Sequence, residues 1–176
     1  MPSPLDHMGQ MGLPVTWAVV RAGWQGTGML GRQVTAQQVK AFAQERIPAT
    51  EGALLADVAV LSLPADEQAI GAALGRLAPG VCEQALRAWQ AYLLARLLDD
   101  LPTDAVDGLC ALTDFWAALD FPEGMPHVVQ GRGNTIAPQE YYDEGNYRRL
   151  VSDHRQWLRR QIARLGGDAD AAHGTQ

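Results

Sequence analysis

At 176 residues, 47% apolar and 19% charged, the chain can bury a sizeable core and is too apolar to be a disordered segment. Its formal net charge of −6 works against general affinity for nucleic-acid phosphates. Two cysteines, Cys82 and Cys110, provide neither a disulfide framework nor a CxxC metal spacing, and both are expected as buried thiols in a reducing compartment.

Residues 1–13, rich in Met, Gly and Pro, are expected to form a flexible arm. They lack the positive and apolar regions of a signal peptide, and no stretch of the chain approaches the roughly 18 continuous apolar residues of a membrane span. The cytoplasm is the expected compartment. A helix is predicted after Pro14, a favoured first-turn residue, with Trp17, Val20 and Trp24 on one face and Gly26, Gly28 and Gly31 ending it. Trp24, followed by glycines, is the tryptophan expected to be exposed.

Thr35 and Gln38 match a capping box that opens a helix with Val39, Phe42 and Ala43 inward, ended before Pro48. A helix from Glu51 to Ser62 follows, then Pro64, and another helix from Ala65 or Asp66 to Pro79-Gly80. The most apolar helix is predicted from Val81 to Leu101, carrying Leu86, Trp89, Leu93, Leu94, Leu97 and Leu98.

Pro102 stops that helix, and Thr103 or Asp104 caps the next, which runs to about Asp120. On this helix Leu109, Leu112, Phe115, Trp116 and Leu119 share a face, with Asp104, Asp107 and Asp114 opposite. Residues 121–139 hold three prolines and three glycines and form the longest irregular segment of the body. A last helix begins between Tyr141 and Asn146 and is expected to end at Gly166-Gly167. Its buried stripe is Tyr147, Leu150, Val151, Trp157, Leu158, Ile162 and Leu165, and 167–176 is expected to be a flexible tail.

No strand-like alternation persists. The fold class is therefore all-α, a single-domain multi-helix bundle of about six to eight helices over 14–166, with stacked helical pairs as one arrangement.

Charge is the most informative pattern. From Leu97 to Gly131 there are seven carboxylates (Asp99, Asp100, Asp104, Asp107, Asp114, Asp120 and Glu123) and no Lys or Arg. Such a one-sign stretch attracts basic partners and repels nucleic acid. Asp104 and Asp107 also suit the first turn of a helix through its dipole, whereas Asp114 is mid-helix, where Asp is a poor helix former. Tyr141, Tyr142, Asp143 and Glu144 mix aromatics with acids in the manner of an interface rim, or alternatively cap a helix. The basic counterpart is the C-terminal helix: six Arg (148, 149, 155, 159, 160 and 164) against Asp153.

Catalytic and cofactor motifs are absent: no HExxH, P-loop, GxGxxG or GxSxG occurs. Gly131 to Asn134 lacks the strand-before, helix-after context of a phosphate cradle and reads as a turn. His154 falls on an apolar stripe and is expected as a buried, hydrogen-bonded core histidine. His127 follows Glu123 by four residues, but no third metal ligand is suitably spaced. No cofactor, metal or catalytic residue is assigned, and the chain is expected not to be an enzyme.

Several segments resemble one family. Val15-Thr16-Trp17, Val34 to Val39 with Ala43, Leu86 to Leu98 with Trp89 and Tyr92, and Phe115-Trp116 followed by Asp120 to Met125 are similar to the bacterial all-helical domain-of-unknown-function family numbered 2247. The resemblance implies an immunity protein of the polymorphic-toxin or contact-dependent-inhibition kind, acting by stoichiometric binding. Such a role would use the acidic surface against the basic groove of a toxin domain, most simply a nuclease. The expected partner-binding residues are Asp99, Asp100, Asp104, Asp107, Asp114, Asp120, Glu123, Tyr141, Tyr142, Asp143 and Glu144. The chain is expected to be a monomer or weak homo-oligomer, with no nucleic-acid or membrane partner. The alternatives are a helical adaptor, which predicts a self-associating chain with exposed apolar surface, and a small enzyme using Glu123, His127 and Tyr141 in the 121–144 loop.

Overall fold

The computed structural model describes residues 3–26, 31–63, 66–80 and 82–173, with side chains of the last helix described as far as residue 167. Gly28, Pro64, Ala65 and Val81, all used above as boundary signals, lie outside the described residues, as do residues 1–2 and 174–176 of the two expected tails.

All regular structure among the described residues is helical. The α-helices are α1 (Pro4–Gln10), α2 (Trp17–Gln25), α3 (Ala36–Arg46), α4 (Leu55–Ser62), α5 (Glu67–Leu77), α6 (Glu83–Asp99), α7 (Ala105–Ala117), α8 (Pro138–Tyr141) and α9 (Glu144–His173). Two 3₁₀ turns, Ile47–Ala49 and Gly52–Leu54, join α3 to α4. The expected all-α class is what the chain adopts. It divides into two compact units, Met1–Trp89 with Leu165–Gln176, and Gln90–Arg164.

In the first unit, α3 packs on α4, α4 on α5 and α5 on α2. The capping box opens α3 as the sequence predicts: Gln38 N donates to Thr35 Oγ1 and Thr35 N to Gln38 Oε1 at 2.8 Å. Trp89 is fully buried and donates its indole N–H to Val19 O at 2.8 Å. Gly23 makes room for it, since a Cβ there would overlap both the Trp89 ring and Val34. Two sequence expectations are overturned here. The N-terminal segment forms α1, with a Ser3–Asp6 capping box and buried Leu5 and Met8, because two apolar residues on one face suffice to dock a capped turn. Trp24 is buried, with the Arg32 guanidinium stacked 3.8 Å from its ring centroid and held there by Glu67 at 2.7 Å.

The second unit centres on Leu94, Leu98, Leu109, Leu112, Trp116, Tyr141, Tyr147 and Leu150, contributed by α6, α7, α8 and α9. Gly108 sits against Tyr147, leaving no space for a Cβ. The Tyr147 hydroxyl donates to Pro102 O at 2.6 Å. Thus the loop that ends α6 is tied to α9. The expected stop at Gly166-Gly167 does not operate: α9 continues to His173, so the backbone of most of the expected C-terminal tail is helical.

Candidate functional site

The carboxylates of the 97–144 region separate by what already holds them. Asp104 is the N-cap of α7 and accepts from Val106 N at 2.9 Å and Asp107 N at 3.1 Å. Asp143 accepts from Gly145 N at 2.7 Å at the start of α9. Glu144 pairs with Arg148 at 2.9 Å, and Asp100 lies 3.8 Å from Arg96. All four are exposed, but each also serves local structure. Asp99, Asp107, Asp114, Asp120 and Glu123 are exposed and form no ion pair among the described residues.

Asp107 and Asp114 belong to a continuous exposed ridge on α7. At about 100° per residue, Val106, Cys110, Asp114, Ala117 and Asp107 fall within an arc of about 100°. Each of the five is exposed, Val106 at 47%. Cys110 is therefore not the buried thiol expected from sequence: the helix turns its Leu109, Leu112 and Trp116 face inward, which carries residue 110 out. Beyond α7, Asp120 and Phe121 adopt φ of 56° and 48°. Phe121 N donates to Trp116 O at 2.9 Å, so the reversal ends the helix as a hydrogen-bonded turn.

Tyr141 does not belong on an interface rim. Its side chain is 2% exposed, and its hydroxyl donates to Val128 O at 2.8 Å. Burial raises its pKa. Tyr142, which packs edge-to-face on Tyr141 at 4.9 Å, is half-buried. The period of α8 puts one tyrosine inward and leaves its neighbour at the margin.

The irregular 121–137 segment is pinned from within. Asn134 Nδ2 donates to Val129 O at 2.8 Å and Arg132 O at 3.1 Å, while Oδ1 accepts from Gly131 N and Ile136 N at 3.3 Å. Residues 131–134 form the expected turn. Arg132 stacks 4.1 Å from the Phe121 ring centroid, and Trp157 donates to Gly124 O at 3.0 Å.

Under this segment lies a pair of buried histidines that sequence reading did not connect. The His127 and His154 ring centroids are 5.3 Å apart. Trp116 Nε1 donates to His154 Nε2 at 2.9 Å, and Leu150 O accepts from His154 Nδ1 at 2.6 Å. An indole can only donate and a carbonyl can only accept, so His154 is held as the neutral Nδ1–H tautomer. Thr113 spends its one hydroxyl proton on Leu109 O at 2.8 Å and therefore accepts from His127 Nε2 at 2.9 Å.

His127 Nδ1 is buried without a hydrogen-bond partner among the described residues. Burial, followed by the nearness of His154, pushes His127 from 6.5 down to about 4. Burial lowers His154 as well, against the opposing pull of the Leu150 carbonyl and Asp153. Only the expectation of a buried, hydrogen-bonded His154 was available from sequence; its link to Trp116 joins residues 38 positions apart and has no local signal.

Glu123 is exposed and His127 is buried, so the two do not share an environment. Among the described residues no three His, Cys, Asp or Glu side chains are grouped to hold a metal ion, and no helix is long and apolar enough to cross a membrane.

Residues 5–162 match the family model DUF2247, described as an uncharacterized protein conserved in bacteria. The chain belongs to this family. The match covers α1 to α8 and most of α9, so DUF2247 is an all-α fold in this member. No curated protein and no solved structure matches the chain.

Proposed function

We propose that this DUF2247 protein is an immunity protein, one that binds and neutralises a cognate bacterial toxin domain by occupying a basic groove, most simply that of a nuclease. The observation that supports the reading is the exposed α7 ridge, where Asp107 and Asp114 are unpaired carboxylates beside exposed Val106. Unpaired acids speed association with a basic partner, and apolar contacts beside them slow release. Asp99, Asp120 and Glu123 extend the negative field in the same unit, and Asp100, Asp104, Asp143, Glu144 and Tyr142 would be peripheral to it. The action is stoichiometric and needs no cofactor, in the cytoplasm where such a toxin would act.

The test is co-expression with the C-terminal domain encoded immediately upstream, scored by co-purification and by rescue of growth. One-to-one binding with rescue is expected. In that complex, D107K/D114K should slow association at least about tenfold at low salt, since steering charges act mainly on the on-rate. The absence of both co-purification and rescue would overturn the immunity reading. An unchanged on-rate would remove α7 from the interface.

A second reading has its own observation. Five large apolar residues of the first unit are exposed within 47–63: Ile47, Leu54, Leu55, Val60 and Leu63, the last at 63%. This concentration suits a helical adaptor that docks an apolar partner surface. L54S/L63S would abolish partner binding on that reading and leave it intact on the first.

A further inference from the structure

We propose that α7 of one copy docks into an arginine-rimmed groove on the second unit of another copy, so that the protein self-associates through complementary charge. The groove, about 550 Å³, lies along α9 and the end of α6. Leu98, Leu101 and Val151 give it an apolar lining, while Arg148, Arg155 and Arg159 bring the positive charge. Asp99 also lines it, so the charge of the lining is three positive against one negative.

Arg148 is partly neutralised by Glu144, whereas Arg155 and Arg159 are exposed with no ion pair among the described residues. Positions 148, 152, 155 and 159 recur at helical spacing, so the guanidinium groups form one stripe along α9.

The α7 ridge has the matching chemistry and the matching step. Asp107 and Asp114 are seven residues apart, as are Arg148 and Arg155, and seven helical residues rise about 10 Å in either case. Val106, Cys110 and Ala117 lie beside those acids and supply small apolar groups for the Leu98, Leu101 and Val151 lining. Nucleic acid is the weaker occupant. Residues 90–164 carry 11 acids against 8 arginines, a net of −3, and a phosphate backbone laid in the groove would meet that field. A second copy instead brings its acids to the arginines and leaves its own basic stripe open. Self-association and partner binding would then compete for Asp107 and Asp114.

The full chain would be studied by sedimentation velocity at 20 mM and 500 mM salt. R155E/R159E disables the groove, and D107K/D114K disables the ridge. All four residues are exposed, and R155Q/R159Q and D107N/D114N serve as milder substitutes should a reversal fail to fold. Wild-type protein should associate with rising concentration at 20 mM salt and at least about tenfold more weakly at 500 mM, where screening is several times shorter-ranged.

Each variant alone should be monomeric, and an equimolar mixture of the two should recover a heterodimer through the one intact ridge and the one intact groove. A monomeric wild type at 20 mM salt, variants that associate as the wild type does, a mixture that stays monomeric, or association indifferent to salt would each overturn the proposal. Tighter binding of a single-stranded oligonucleotide than of a second copy would do the same. The experiment involves no toxin domain, so its failure leaves the toxin reading standing, and the failure of that reading leaves this one.

Discussion

The buried His127–His154 pair makes stability depend on pH in a window set by its own geometry. In the unfolded chain His127 takes up a proton near 6.5, and in the folded protein only near 4. The unfolded state therefore binds more protons between those values. Stability is full above about pH 6.5 and falls as the pH drops toward 4. At about 1.4 kcal/mol for each tenfold change in proton affinity, the whole span is worth about 3 kcal/mol, and about 2 kcal/mol is already lost by pH 5.

His154 acts in the same direction: its Nε2 can take a proton only by giving up the Trp116 N–H. Urea unfolding followed by tryptophan fluorescence at pH 7 and pH 5 measures the loss. The carboxylates contribute a background slope, which cancels in a comparison with His127→Gln, whose amide can still donate to Thr113 Oγ1. The variant should lose about 2 kcal/mol less than the wild type over that interval. Equal losses in the two proteins would refute the assignment of a buried neutral His127.

Two further predictions separate packing from charge. Gly108→Ala improves helix propensity, but its methyl group would overlap the Tyr147 ring; we expect a net destabilisation of about 1–3 kcal/mol and a lower Tm, and a Tm at or above the wild type would contradict the observed packing. Asp104→Ala removes the α7 N-cap and should cost about 1 kcal/mol in chemical denaturation, with most of it restored by Asp104→Ser; D107N should stay within about 0.5 kcal/mol of the wild type.

Helices whose apolar residues recur at the helical period and whose ends carry local signals were legible in the sequence. The Thr35 capping box closes as read, Asp104 is the one of the two offered residues that caps α7, and α5 opens at Asp66, one of its two expected starts; each of these caps acts within three residues. The misread segments are those settled by distant partners. Residues 4–10 look like loose chain until Leu5 and Met8 find a core. Gly166-Gly167 is a good stop signal, yet glycine costs a helix only about 1 kcal/mol, and Leu165, buried one residue earlier, helps carry α9 past it.

The candidate surface divides along the same line. A run of acids announces a negative field without saying which members are already engaged, because a carboxylate bonded to its own backbone and one facing solvent are the same letter. Only the cap geometry of Asp104 and Asp143 and the ion pairs of Asp100 and Glu144 set those four apart from Asp107 and Asp114. The distinction matters energetically. Reversing a capping acid alters the helix and the field together, so its effect on binding cannot be assigned to steering. Asp107 and Asp114 carry charge on an exposed face with no capping hydrogen bond of their own, which makes them the residues at which a change in association rate reads as electrostatics.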